Sequence, residues 1–258
     1  MRFNGGETLS WSRIESILSG RLGPTPVPVN HLPATDAPTA RRATSSIAVP
    51  FAELHAVSSY SFLGGASEPE ELVERAVELG LSALGILDRD GFYGVAAFAE
   101  AAAEAGLPTV FGAELSLDAG VLPVICRGPE GYRRLSHLIA DAHMATGEKG
   151  AVAYPGLTTI AEHLGGHCLV LADHTWAPRL GELTAAFGGN VVLEYPATML
   201  PEDADNQEII DAARRAVGAH GHRLRAVVSA RPAAARRGAS RLAAAKRALS
   251  RGQAGGEA

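Results

Sequence analysis

The chain has 258 residues, of which 47% are apolar and 20% are charged, and its formal net charge is −5 at neutral pH. This composition is typical of a soluble globular protein and suffices for one large α/β domain or two small ones. We find neither an apolar run of about 18 residues nor a secretory leader, so we expect no membrane span and a cytoplasmic location. Cys126 and Cys168 lack C-x-x-C spacing and are expected to be buried thiols.

The first 46 residues are predicted to lie outside the main domain. Residues 1–20 contain one short amphipathic helix candidate, Trp11–Leu18. It is too short to be stable alone, and docking on the domain is favoured over a partner-binding role. Residues 21–46 are rich in Pro, Ala, Thr and Ser without periodicity, which predicts a disordered linker.

The stretch from residue 51 to residue 117 is predicted to contain three strands that alternate with two helices. The strands are Ala52–His55, Ala83–Leu87 and Thr109–Gly112. They lead to His55, Asp88 and Glu114. Because the carboxyl ends of parallel strands converge on one face, where ligands and metals bind, these residues predict a site there.

The two helices have recognisable ends. The first follows a capping-box spacing at Ser67–Glu70, has Pro69 near its first position and stops at Gly80. The second covers Gly94–Ala105 and stops at Gly106. Two successive β-α units are therefore expected.

The rest of the chain continues the α/β pattern to residue 230. Strands are predicted at Leu122–Cys126, His167–His174, Asn190–Tyr195 and Arg225–Ser229, and helices at Tyr132–Met144, Leu157–Leu164 and Ala204–Ala219. Polar residues again stand at strand ends, namely Asp173 with His174, and Glu194. His174 is therefore kept as a candidate site residue.

The carboxyl-terminal part, residues 231–258, is predicted to be a basic, Ala-rich helix over about Ala233–Leu249 with a short tail. Residues 221–258 carry nine Lys or Arg against one acid, Glu257. Such asymmetry can mark a nucleic-acid arm, with weak DNA contact through the following basic residues: Arg236, Arg237, Arg241, Lys246 and Arg247. This is the less favoured of two interpretations. The alternative is an ordinary docked helix whose arginines face water, because no aromatic residues are interleaved for base stacking.

Four motifs in this order and spacing carry a family resemblance. They are Leu54-His-Ala-Val57-Ser, Phe62-Leu-Gly-Gly65-Ala-Ser67, Leu87-Asp-Arg-Asp90-Gly-Phe-Tyr-Gly94 and Val110-Phe-Gly-Ala-Glu114-Leu. The chain resembles the PHP (polymerase and histidinol phosphatase) domain at the amino terminus of bacterial C-family DNA polymerase alpha subunits, most of all the actinobacterial error-prone branch. The resemblance implies a PHP-type distorted (β/α)7 barrel over residues 47–230.

The resemblance also implies a metal site. In the family, a cluster of His, Asp, Glu and Cys side chains holds two or three metal ions and supports phosphoesterase or proofreading exonuclease activity. Carried over position by position, the retained ligands are His55, Asp88, Asp90 and Glu114, with His174 at a later position. The positions at which the family's ligand is replaced are Val57, Gly64, Arg89 and Val121. A final histidine is missing from residues 231–235.

These replacements oppose metal binding. Valine and glycine supply no donor atom. A guanidinium cannot lose its proton, and a unit charge about 4 Å from a divalent cation costs roughly 8 kcal/mol at an effective dielectric constant near 20. Arg89 is instead expected to pair with Asp88, Asp90 or Glu114.

We therefore expect a non-catalytic interaction or structural module linked to DNA replication or repair proteins, without a bound cofactor. The alternative is a metal-dependent phosphoesterase or 3′–5′ exonuclease that uses Glu114 and Asp90 with Zn²⁺ or Mn²⁺. The chain stops at Ala258, before any region that resembles a polymerase palm. We expect a stand-alone PHP-like protein that is derived from, or truncated from, an error-prone polymerase alpha subunit and cannot polymerise DNA unaided.

Overall fold

The computed structural model describes residues 50–148, 150–221 and 223–254. In this part of the chain one sheet contains seven strands in chain order. They are β1 (Ala52–Ala56), β2 (Ala83–Arg89), β3 (Thr109–Leu117), β4 (Gly120–Cys126), β5 (Cys168–Ala172), β6 (Val191–Pro196) and β7 (Arg225–Ser229). Neighbouring strands run parallel, except that β4 is antiparallel to both β3 and β5. Contacts between β1 and β7 nearly close the sheet, which confirms the predicted distorted barrel.

Seven α-helices accompany the strands in the described residues. They are α1 (Pro69–Glu78), α2 (Val95–Ala105), α3 (Gly128–Thr146), α4 (Leu157–Leu164), α5 (Leu180–Phe187), α6 (Glu202–Gly218) and α7 (Arg237–Ala254). Within residues 50–148, 150–221 and 223–254, none of these helices has the length and apolar content needed to cross a bilayer. The helix and linker predicted within residues 1–20 and 21–46 lie outside the described residues.

Several helix starts differ from the prediction. Helix α3 begins at Gly128 rather than at Tyr132, and α6 begins at Glu202 rather than at Ala204. The capping box of α1 uses Glu68 and Glu71, with the Glu68 amide donating to Glu71 Oε2 at 3.1 Å. Ser67 is buried and its Oγ accepts a hydrogen bond from the Ala235 amide instead. Helix α7 begins at Arg237 rather than at Ala233, because the preceding residues are bonded to the loop after β1.

Strands β2 and β3 are longer than the pattern predicts. Their parallel pairing continues through Asp88 opposite Ala113 and Arg89 opposite Glu114. Alternation of side chains along a strand allows polar and apolar residues to leave on opposite faces. Asp88 and Glu114 therefore lie within β2 and β3, rather than after these strands.

Apolar side chains fill the barrel below its polar mouth. One cluster contains Leu87, Ile125, Leu171 and Val192 as buried members, packed against Leu54, Val110, Leu169 and Val227. Every strand contributes at least one of these residues, as expected for the interior of a small barrel. A layer of polar residues at one end of the barrel covers this apolar cluster and is called the mouth. It consists of His55, Arg89, Glu114, Asp173, Glu194 and Arg231.

Side-chain and loop contacts join β1 to β7. Glu53 is 2% exposed, and its carboxylate accepts hydrogen bonds from Ser229 Oγ at 2.6 Å and from the Ala230 amide at 2.8 Å. The Val57 amide donates to the Pro232 carbonyl at 3.0 Å. One extra residue between Glu53 and Ala56 forms a β-bulge in β1. Such bulges re-aim side chains, and His55 lies within this one.

Two glycines on the outer helices give opposite predictions for stability. Gly106 ends α2 with a φ of 65°, so Gly106→Ala should lower the free energy of unfolding by about 1 kcal/mol.

Gly181 is exposed inside α5, and an added Cβ would meet no atom within 4 Å. Gly181→Ala should therefore raise that free energy by about 0.5–1 kcal/mol. Urea unfolding of both variants checks the signs, and equal signs would contradict the two backbone assignments.

Candidate functional site

His55 lies at the centre of the barrel mouth between two carboxylates. Its Nδ1 is 2.7 Å from Glu194 Oε1, and its Nε2 is 2.9 Å from Glu114 Oε1. The His55 side chain is fully buried. An ionised carboxylate only accepts hydrogen bonds, so both ring nitrogens must carry protons to satisfy both partners. The geometry therefore favours the imidazolium form.

The charge of the ring follows from these neighbours. Burial alone would lower the pKa of His55, but the charge of Glu194 and the hydrogen bonds to Glu114 and Glu194 outweigh it and raise the pKa to about 9. Burial likewise favours protonation of Glu114, yet its hydrogen bond and attraction to His55, with the charge of Arg89, lower its pKa to about 2. At neutral pH the pair is ionic.

Two arginines complete the polar layer. Arg89 donates to Glu114 Oε2 through Nε and Nη2, each at 2.8 Å. Arg231 donates from Nη1 to Asp173 Oδ2 at 2.7 Å, and its Nη2 is 3.6 Å from Glu194 Oε2. The mouth thus balances three positive groups with three carboxylates.

His55 Nδ1 is close to both a donor, Arg231 Nε, and an acceptor, Glu194 Oε1. Arg231 Nε lies 3.3 Å from His55 Nδ1, which would be a hydrogen bond only if that ring nitrogen were unprotonated. Glu194 Oε1 is closer to the same nitrogen, at 2.7 Å, and is the better acceptor for a ring proton. We therefore assign the proton to Nδ1, with Glu194 between the two cations and Asp173 as the second partner of Arg231.

The predicted ligands Asp88 and Asp90 hold loops together instead of joining the His55 cluster. Asp88 is buried and accepts hydrogen bonds from Ser58, from Ser61 and from the Gly94 amide. Asp90 accepts hydrogen bonds from the Ser116 amide and hydroxyl and from Tyr154. Asp88 therefore fastens the β1–α1 and β2–α2 loops, while Asp90 ties the second of these loops to β3.

The other predicted positions are distributed around the barrel. Val57 and Gly64 are neighbours, since a Cβ on Gly64 would lie 3.3 Å from Val57 Cγ1. The Val121 carbonyl accepts a hydrogen bond from the Trp176 indole at 2.6 Å. His174 is half-buried, and its preceding residue, Asp173, is the one that contacts Arg231. Of the predicted ligands, the structure brings together His55 and Glu114, with Arg89 beside them.

In this arrangement the donor atoms at the mouth are engaged with one another and with the two arginines. Within residues 50–148, 150–221 and 223–254, no group of three or more His, Cys, Asp or Glu side chains is arranged to hold a metal ion. Both nitrogens of His55 face carboxylates, whereas a metal ligand needs a free lone pair. Among the described residues, Glu194 Oε2 is buried without a hydrogen-bond partner, and Arg231 Nη2 lies 3.6 Å from it.

Three residues in this layer were not predicted as site residues. Asp173 and Glu194 were recognised only as polar strand ends, and Arg231 fell in the stretch where a histidine was expected. The available signal for Arg231 was its place two residues after the last strand. A cation there can reach the carboxylates of the neighbouring strands, as Arg231 does with Asp173 and Glu194.

The basic residues near the carboxyl terminus have different environments. Arg236 pairs with Glu74 and Glu78 of α1, and Lys246 Nζ donates to the Gly65 carbonyl at 2.8 Å. Arg237 and Arg241 are exposed on α7. The side chain of Arg247 lies outside the described residues. Two of the five predicted DNA contacts are therefore engaged within the chain.

Comparisons with known proteins agree with this architecture. An error-prone DNA polymerase from Corynebacterium glutamicum is 51% identical over 257 residues, which cover 97% of this chain and 24% of that polymerase. A protein of the same description from Mycobacterium tuberculosis is 48% identical over 183 residues, covering 63% of this chain and 16% of its own length. The chain thus spans about a quarter or less of the length of these two relatives, and it corresponds to their amino-terminal region.

The fold comparison and the family model point to the same family. A solved structure of a provisionally assigned metal-dependent phosphoesterase from Bifidobacterium adolescentis has a TM-score of 0.51 and 15% identity, covering 76% of this chain and 96% of that one. At this identity the likeness concerns the fold alone. The family model described as the PHP domain matches residues 53–223, and the chain therefore belongs to the PHP domain family.

Proposed function

We propose that this PHP domain acts as a non-catalytic module in DNA replication or repair, and that ion pairs rather than metal ions hold its mouth together. The observation that carries the proposal is the position of His55, protonated between Glu114 and Glu194. Arg89 and Arg231 supply the remaining positive charge. Together these groups neutralise the carboxylates that a metal would otherwise need.

A metal ion would have to compete with this network. Removing a proton from His55 at neutral pH costs about 3 kcal/mol, given a pKa of about 9. Arg231 would also have to leave, because its guanidinium is 3.6 Å from the Glu194 oxygen that lacks a hydrogen bond. Its departure would remove the partner of the buried Asp173. These costs support the assignment of a metal-free mouth.

The link to DNA metabolism rests on similarity to the amino-terminal region of error-prone polymerases. The proposal includes weak electrostatic DNA contact through the exposed Arg237 and Arg241. Arg236 and Lys246 have partners on the barrel, so we assign them to docking of α7. Proteins of replication or repair are the partners that this similarity suggests.

Metal analysis tests the metal-free mouth directly. We expect purified protein to contain no stoichiometric Zn²⁺ or Mn²⁺, and a chelator to shift its melting temperature by less than about 1 °C. We also expect no phosphodiester hydrolysis when either ion is added. The same measurements on Glu114→Ala provide the control.

The opposite outcome would identify an enzyme. Stoichiometric metal, together with hydrolysis that disappears in Glu114→Ala, would replace the proposal with a metal-dependent phosphoesterase or 3′–5′ exonuclease. Metal that binds without hydrolysis would overturn the ion-pair mouth but keep the non-catalytic module. The two parts of the proposal can therefore fail separately.

A further inference from the structure

The two cysteines of the chain face each other across the antiparallel pair of β4 and β5. Cys126 is opposite Cys168 in the strand register. The Arg127 amide donates to the His167 carbonyl at 2.8 Å, so the pair beside the cysteines is a hydrogen-bonded one. Because the two kinds of pair alternate along an antiparallel ladder, Cys126 and Cys168 form a non-hydrogen-bonded pair, in which the side chains approach most closely.

This geometry suits a disulfide bond. Cα atoms in non-hydrogen-bonded pairs are about 4.5 Å apart, and disulfide-bonded cysteines have Cα separations of about 4.4–6.8 Å. A separation at the short end of that range is expected to give a readily reduced bond. We propose that Cys126 and Cys168 form a reversible, peroxide-oxidised disulfide that cross-links β4 and β5.

The surroundings of the two thiols favour one of them as the nucleophile. The Cys168 thiol donates to the Gly131 carbonyl at 3.6 Å. The neighbouring Cys126 thiol lowers the pKa of Cys168, with help from the charge of Arg134, while burial opposes this shift. The same interaction raises the pKa of Cys126. Cys168 is buried, whereas Cys126 is partly exposed. A small oxidant such as hydrogen peroxide is therefore the class of reactant that suits this pair.

The reaction has two displacement steps. First, the Cys168 thiolate attacks a peroxide oxygen, the O–O bond breaks, and the leaving hydroxide takes up a proton to become water. Cys168 is then a sulfenic acid. Second, the Cys126 sulfur attacks the Cys168 sulfur, its thiol proton is lost, and the hydroxyl group leaves as a second water. In total, two thiols lose two electrons and two protons, and one peroxide is reduced to two waters.

Oxidation of the folded 258-residue chain by hydrogen peroxide tests this proposal. We expect an intrachain disulfide, seen as the loss of two hydrogens by intact mass and as a peptide joining residues 126 and 168 in a non-reducing digest. Dithiothreitol should reverse both changes. The cross-link should raise the melting temperature by roughly 5 °C or more, because it closes a long loop.

Two serine variants assign the roles of the thiols. In Cys126→Ser the sulfenic acid of Cys168 should accumulate and be trapped by dimedone, because its partner is missing. In Cys168→Ser the remaining thiol should react roughly tenfold more slowly, since it lacks a lowered pKa. Circular dichroism of each variant checks that the fold is kept, and the wild-type digest tests the cross-link even if a variant is misfolded.

Several results would overturn the proposal. These are oxidation of one cysteine to a sulfinic acid without a cross-link, disulfide-linked dimers, and a cross-link that forms only in denaturant. A lack of reaction at peroxide concentrations that oxidise free cysteine would do so as well. The inference does not depend on the state of the barrel mouth, so neither outcome there changes it.

Discussion

Replacing Arg231 with methionine is expected to lower the free energy of unfolding by about 3–5 kcal/mol. The guanidinium is the charged partner of Asp173, which is 8% exposed, and approaches Glu194, which is 1% exposed. Methionine preserves much of the side-chain length but supplies no charge, so both carboxylates lose a positive neighbour in a buried place. Arg231 also has a φ of 47°. Methionine at this position has a comparable backbone strain. The difference in the free energy of unfolding between the wild type and Arg231→Met therefore measures the loss of the guanidinium.

Urea unfolding of Arg231→Met and of a matched control measures this effect. Arg133 pairs with Glu130 on the outside of α3, where both side chains are exposed. Arg133→Ala should leave the unfolding midpoint nearly unchanged, because exposed ion pairs are screened by water and salt. Adding Asp173→Asn to Arg231→Met should recover part of the lost stability, since Arg231 is the charged partner of Asp173 and its loss leaves that buried carboxylate uncompensated. Equal, small effects of Arg231→Met and Arg133→Ala would contradict the proposed role of Arg231.

The stability of the protein should fall on raising the pH from 6.5 to about 9. The folded state raises the pKa of His55 from 6.5 to about 9. A raised folded-state pKa stabilises the protein fully below the unfolded value, and this contribution is lost as the pH rises through the folded value. The shift corresponds to about 3 kcal/mol. Denaturant unfolding between pH 6 and pH 10 measures the loss.

Glu114 adds a change of the opposite sign at low pH. Its pKa falls from 4.5 to about 2 in the folded state, so its contribution is present above pH 4.5 and is lost as the pH falls toward 2. His55→Gln should remove the high-pH change and also reduce the low-pH change, because His55 is the main group that lowers the pKa of Glu114. NMR titration of the wild-type imidazole provides a check that does not require this variant to fold. An imidazole pKa at or below 6.5 would contradict the assigned geometry.

The fold could be predicted because its units have strong local patterns. Helix α4 and strand β7 have the predicted bounds, Leu157–Leu164 and Arg225–Ser229. The antiparallel direction of β4 was missed because β3 was predicted to end at Gly112, whereas in the structure only Asp118 and Ala119 separate β3 from β4. A parallel connection needs a crossover of a dozen residues or more, so this short turn already required a hairpin.

The site could be predicted only in part, because its residues meet through long-range packing. Pairing of Arg89 with Glu114 was one of three options considered, and the structure selects it. His174 was predicted as the site residue after β5, but Asp173 is the residue that contacts Arg231. Successive side chains of a strand point to opposite faces, so an error of one residue at a strand end selects the wrong side chain. Arg231 could not be assigned, because only the closed barrel brings it beside the other strands.

The contacts that join β1 to β7 also determine when the barrel can close during synthesis. Glu53 bonds to Ser229 and Ala230, which are near the opposite end of the barrel's sequence. During synthesis from the amino terminus, β1 therefore keeps one uncovered edge until residue 230 has left the ribosome. Exposed strand edges in partly made chains favour aggregation. The last-made strand thus protects the first, and release of a shorter nascent chain would leave that edge open.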